Sequence, residues 1–133
     1  MVFLGSKKNY HKKKDLYSER MYAREIMHES LNRLNSYMQK EKNILNEGKE
    51  NEATHWESLL GDSTSPIVTL TDAIHKSSKL KTINPNFSAV ILSWLDELEI
   101  DSTSKVAVSF TGSFPGANLA VLSALESRSV DLA

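Results

Sequence analysis

The sequence contains no cysteine. That excludes disulfides, thiolate metal sites and cysteine nucleophiles, and it leaves the redox compartment open. Only 3 prolines and 5 glycines occur in 133 residues, so few positions interrupt a regular element. No stretch approaches the ~20 consecutive apolar residues of a membrane span. The opening Met1-Val-Phe-Leu-Gly-Ser is too short for a signal-peptide core, and its lysines follow it instead of preceding it. The default expectation is a soluble, cytoplasmic protein. Neither charge is in excess, with 16 Lys and Arg against 17 Asp and Glu for a net charge of -1. A dedicated nucleic-acid binder concentrates a basic face, so nucleic acid is not an expected partner.

What is present suits one folded domain with one core: 40% of residues are hydrophobic and 25% charged, which also argues against wholesale disorder. The charge is unevenly placed. Residues 1–14 hold Lys7, Lys8, Lys12, Lys13 and Lys14 and no acid, a charge of +5. Subtracting these from the totals leaves 11 basic and 17 acidic residues over 15–133, or -6. A basic, flexible arm over 1–14 could touch phosphate or anionic lipid, or could simply be a solvated terminus.

From 15 to 48 there is no proline, and the only glycine is the final residue, Gly48. Met27, Leu31, Leu34, Met38 and Leu45 fall at helical spacing, which predicts a long amphipathic helix. Its partner is expected in 49–133, read as a partial α/β domain. There, 54–66 reads as a loop anchored by Trp56, and 66–70 (Pro-Ile-Val-Thr-Leu) as a short strand. Asn84-Pro85 is a helix start, with Asn as N-cap and Pro where its missing N–H costs nothing. Behind it Phe87, Val90, Ile91, Trp94, Leu95 and Leu98 keep a 3.6 period. Asp101-Ser-Thr-Ser makes a turn, 105–110 is a buried-strand candidate, and a helix follows over 115–126. The last residues read as the start of a further strand. The resulting expectation is an α/β fold: a partial Rossmann-like parallel sheet with βαβ connectivity, three-layered in a complete protein and truncated at the C-terminus.

The turn Thr111-Gly-Ser-Phe-Pro-Gly116 carries the most chemistry. A glycine after a strand lets the chain turn sharply, and the following helix directs its free N–H groups at the turn, a setting for phosphate, carboxylate or an oxyanion. Thr111, Gly112, Ser113, Phe114, Gly116 and Asn118 are the candidate anion-binding residues, and tight packing alone is the other reading of the same turn. Ser113 does not fit a nucleophile elbow, since Thr111 and Pro115 stand where glycines belong. The Gly-Lys-Ser/Thr ending of a phosphate loop is also absent. Glu25 and His28 share a helix face, and His28-Glu29 begins like a zinc-protease helix, but position 32 is Asn. Neither completes a ligand set, so no metal and no cofactor is expected. Trp56 and Trp94 read as packing anchors.

Two runs are specific enough to compare with a family. Thr82-Ile-Asn-Pro-Asn-Phe-Ser-Ala-Val90, followed by Val106-Ala-Val-Ser-Phe-Thr-Gly-Ser-Phe-Pro-Gly-Ala-Asn-Leu-Ala-Val-Leu-Ser-Ala-Leu125, resembles the bacterial poly-γ-glutamate system proteins, labelled capsule-biosynthesis accessory proteins. The resemblance covers about 16–130 and falls on Asn84, Pro85, Asn86 and Phe87, and on Gly112, Ser113, Phe114, Pro115 and Asn118. It implies an accessory component of poly-γ-glutamate synthesis or export, with other proteins of that system as partners and an anionic small molecule as a further candidate ligand. It carries over no catalytic residue. Members of that family begin with a membrane anchor and run further than this chain, so the resemblance makes this an N-terminal portion with a basic arm in the anchor's place; a membrane partner follows only if such an anchor is restored. The alternative is an enzyme acting on a γ-glutamyl or phosphorylated substrate, with Ser113 and Asn118 near the reacting group and the rest of its site beyond Ala133.

Overall fold

The computed structural model describes residues 5–45 and 73–132, with side chains over 16–40 and 77–131. The expected loop at 54–66, its Trp56 and the expected strand at 66–70 lie outside the described residues. Among the described residues four helices follow in order: α1 (Gly5–Leu45), α2 (Ala73–Thr82), α3 (Asn86–Glu97) and α4 (Pro115–Ser127). Two strands of two residues each, β1 (Lys105–Val106) and β2 (Asp131–Leu132), flank α4.

The core forms where α1, α3 and α4 pack against one another. On α1 the buried stripe is Ala23, Met27, Leu31 and Met38, with Leu16 and Leu34 partly buried beside it. Their spacings of three, four and seven residues keep one face of the helix on the core. α4 contributes Ala120, Ala124 and Leu125. Two alanines on its inner face let the helix axes approach closely.

α3 is apolar on nearly every side, and this hides which side faces in. The structure buries Ser88, Ile91, Leu92 and Leu95. The other apolar residues of the expected stripe, Val90, Trp94 and Leu98, are exposed, and Phe87 lies between the two faces. Ser88 is tolerated inside because its hydroxyl donates to the Pro85 carbonyl at 2.7 Å. Trp94 is a half-exposed residue braced edge-on by Phe87, with ring centres 6.2 Å apart. Asn84 does act as the cap: its Oδ1 accepts the Asn86 N–H at 2.9 Å, and Pro85 already has helical dihedrals.

Both α3 and α4 end in the same way without a glycine. Glu99 and Ser129 take φ of 55° and 54°, in the left-handed region that ordinarily favours glycine. The Glu99 N–H donates to Asp96 O and the Ile100 N–H to Leu95 O; the Ser129 N–H donates to Glu126 O and the Val130 N–H to Leu125 O. Each pair is a Schellman closure, and the residue after it, Ile100 or Val130, is delivered to the core.

The Rossmann-like parallel sheet expected from the sequence is not formed among the described residues. The chain is mostly helical, and its strand content among the described residues is one parallel contact, Lys105 opposite Asp131 and Val106 opposite Leu132. The expected buried strand over 105–110 is therefore wrong in length and in burial. Val106 and Val108 pack against the core while Lys105, Ala107, Ser109 and Phe110 are exposed. Extended backbone becomes a sheet only where neighbours take up its N–H and C=O groups, and two residues of β2 supply too few.

The turn between α3 and β1 is organised by Asp101. Its Oδ1 accepts the Thr103 N–H at 2.9 Å, the Thr103 hydroxyl at 2.7 Å and the Ser104 hydroxyl at 3.2 Å. The Thr103 hydroxyl, then the Thr103 N–H, hold the Asp101 carboxyl below the ordinary aspartate value, with Ser104 adding to them and slight desolvation opposing. A depressed folded value means that the stabilisation is complete above the unfolded value and is lost as pH falls through the folded one. Asp101→Asn is therefore expected to flatten the acid limb of stability measured by urea unfolding at successive pH values. Superimposable limbs for the two proteins would show the turn to be indifferent to this charge.

Candidate functional site

The turn at 111–118 is built by the junction of two helix ends. α2 finishes with Thr82, whose hydroxyl donates to the Lys79 carbonyl at 2.8 Å. α4 starts against it: a Cβ placed on Gly116 would lie 2.7 Å from both the carbonyl carbon and oxygen of Thr82 and 2.8 Å from Ile83 Cγ2. Only glycine allows this approach. It brings the negative end of α2 against the positive end of α4, a favourable pairing of helix dipoles.

The residue before α4, Phe114, makes no side-chain cap, and Pro115 occupies the first position. The first-turn N–H groups of Gly116 and Ala117 consequently have no acceptor within the helix. Asn118 braces the turn. Its Nδ2 donates to the Thr111 carbonyl at 2.7 Å and its N–H to the Phe114 carbonyl at 3.1 Å, closing the turn on itself. Thr111 and Gly112 are exposed and Ser113 half-buried; nothing lies within 4 Å of a Cβ at Gly112. Ser113 makes no hydrogen bond among the described residues, so no base is paired with it there. The buried Lys79 places its ammonium 5.9 Å from the Phe114 ring centre, which adds positive charge behind the turn.

The structure thus gathers Thr111, Gly112, Ser113, Phe114, Gly116 and Asn118 into one turn. It gives Gly116, buried against Thr82, and Asn118 structural duties and leaves Thr111 and Gly112 as the exposed part. Lys79 was not anticipated. Only its place three residues before Thr82, at the start of the resembling run, could have drawn attention to it.

A separate cleft of about 360 Å³ lies between α1 and α4, lined by Tyr22, Glu25, Glu29, Arg33 and Glu126 among others. Arg33 and Glu29 form an exposed pair at 3.7 Å, and the excess of carboxylates makes this cleft unsuited to anions. His28, one residue from Glu29, has its Nδ1 3.4 Å from the Asn32 amide. Among the described residues no three His, Asp or Glu side chains gather as a metal site, and no helix is long and apolar enough to cross a membrane. Comparison with protein families, curated proteins and solved structures finds no match to this chain.

Proposed function

We propose that this protein is an accessory component of a bacterial poly-γ-glutamate synthesis or export system and that its 111–118 turn receives a carboxylate. The motif resemblance supports the cellular context. The observation that carries the ligand reading is the uncapped start of α4, where Phe114 provides no side-chain acceptor. Carboxylate oxygens match free N–H groups at a helix N-terminus, and the Lys79 ammonium behind Phe114 favours the same sign of charge. A γ-linked glutamate chain presents one free α-carboxylate per residue, so a shallow, exposed turn suits it better than a deep pocket. No observation favours the enzyme alternative, which places the rest of its site beyond Ala133.

The test is a titration of the labelled full chain, following the amide signals of Gly112, Ser113, Phe114 and Gly116 by NMR. Short γ-glutamyl peptides are expected to give saturable shifts confined to this turn, larger than those given by glutamate, phosphate or ATP at equal concentration. Asn118→Ala, which removes the brace on Thr111, is expected to weaken them. Unmoved signals, or equal weak drift with every anion, would leave a purely structural turn.

A further inference from the structure

We propose that the outward face of α3 binds the lysine-rich leading end of α1 from a second copy of this chain, each copy giving and receiving one such end. Three observations converge on that occupant. The first is an apolar stripe left in solvent. Val90, Trp94 and Leu98 follow one another at successive helical turns with exposures of 41%, 48% and 69%. A helix can do without such a stripe on its solvent side, and this one is held in place by the Phe87 ring against Trp94.

The second is charge. Between Asn84 and Ser104 the chain has Asp96, Glu97, Glu99 and Asp101 and no Lys or Arg. Arg128 answers Asp96 from the inner side at 3.6 Å. Among the described residues, no cation pairs with Glu97, Glu99 or Asp101. An apolar stripe ending in Glu97, Glu99 and Asp101, which no described cation neutralises, calls for a cationic helix. The chain supplies one, since residues 1–14 hold five lysines and no acid, and α1 is already helical from Gly5. Tyr17 and Met21, exposed one turn apart on α1, offer apolar surface at the base of that end.

The third is connectivity, which requires the contact to be made between molecules. α1 is one unbroken helix. It meets the C-terminal end of α3 at Glu19, through Arg128. The 14 residues from Gly5 to Ser18 continue the axis by about 21 Å beyond that point, at ~1.5 Å per residue, and a straight helix cannot fold back onto its own α3. Reciprocal exchange about a two-fold axis satisfies both surfaces at once and closes the assembly at two copies.

Sedimentation velocity on the full chain tests this. A reversible dimer is expected at low ionic strength, with its dissociation constant rising about tenfold or more between 50 and 500 mM salt as the ion pairs are screened. Trp94→Ser, at an exposed position, is expected to give a folded monomer. Glu97→Lys with Glu99→Lys, and separately Lys12→Glu with Lys13→Glu, are each expected to abolish the dimer, and all four substitutions in one chain to restore it. A monomer at 100 μM in low salt would overturn the proposal. So would a dimer indifferent to salt and to both charge reversals, or a monomer whose lysines instead bind anionic vesicles or a polyphosphate.

Discussion

Gly116→Ala is expected to cost about 2–3 kcal/mol of stability, the upper part of the range for adding atoms to a filled space. The added Cβ meets Thr82 C and O at 2.7 Å and Ile83 Cγ2 at 2.8 Å. Two of those atoms are backbone, so relief requires α2 and α4 to separate instead of one side chain to turn. The change also removes a flexible residue from a helix, which by itself would stabilise by up to ~1 kcal/mol; the net sign is destabilising because the clash is with a carbonyl group. Thermal unfolding should show a fall of roughly 10 °C. Gly112→Ala is the control. Nothing lies within 4 Å of its Cβ, so its effect is expected within about 0.5 kcal/mol. Equal effects at the two glycines would mean that the α2–α4 junction is not close-packed, and the accessible geometry of the turn would then have no rigid support.

What the sequence revealed and what it concealed follow from how local each signal is. The α1 stripe was legible because its polar face is strongly charged, so the periodicity has contrast. Asn84-Pro85 was legible because a cap is a contact between neighbours in sequence. On α3 contrast fails: with Phe87, Val90, Ile91, Leu92, Trp94, Leu95 and Leu98 close together, a 3.6 period can be drawn through either face, and the expected set mixes the inward Phe87, Ile91 and Leu95 with the outward Val90, Trp94 and Leu98. Leu92, fully buried, was missed while the exposed Val90 and Leu98 were included. The Schellman ends at Glu99 and Ser129 were hidden because the usual marker, glycine, is missing. The sheet was over-read because a β-branched run such as Val106-Ala-Val108 shows only that the chain can extend. Whether strands lie beside it is a tertiary question.

The candidate turn was legible as a place but not as a division of labour. Gly-Ser-Phe-Pro-Gly announces a break followed by a helix. Nothing in that string says that Gly116 is needed for Thr82, or that the Asn118 Nδ2 is used on the Thr111 carbonyl. Long-range partners 34 residues apart cannot be read from a single sequence, and the Arg128 contacts to Glu19 and Ile100 were invisible for the same reason.

Those Arg128 contacts set the second large expectation. The guanidinium is 10% exposed and donates to the Ile100 carbonyl at 3.0 Å and to Glu19 at 2.9 Å, with Asp96 at 3.6 Å. Arg128→Gln is expected to cost about 2–3 kcal/mol. Breaking a fully buried ion pair costs ~3–5 kcal/mol, and the value here is smaller because Glu19 and Asp96 remain 38% and 30% exposed and water compensates them in part. A double-mutant cycle with Glu19→Gln should return a coupling of about 1–2 kcal/mol, and one with Asp96→Asn less, in the order of the two distances. The consequence reaches beyond energy. Apolar residues recur along α1 at nearly every turn, so sliding the helix by one turn would still bury an apolar face. Arg128 is a directional contact that ties α1 to both α3 and α4 in one register. Arg128→Leu separates the two roles: burial is kept, so unfolding is expected near the stability of the Gln variant or above it, while the dispersion of the NMR spectrum around Glu19 and Ile100 is lost. A Leu variant with native dispersion would show that packing alone sets the register of α1.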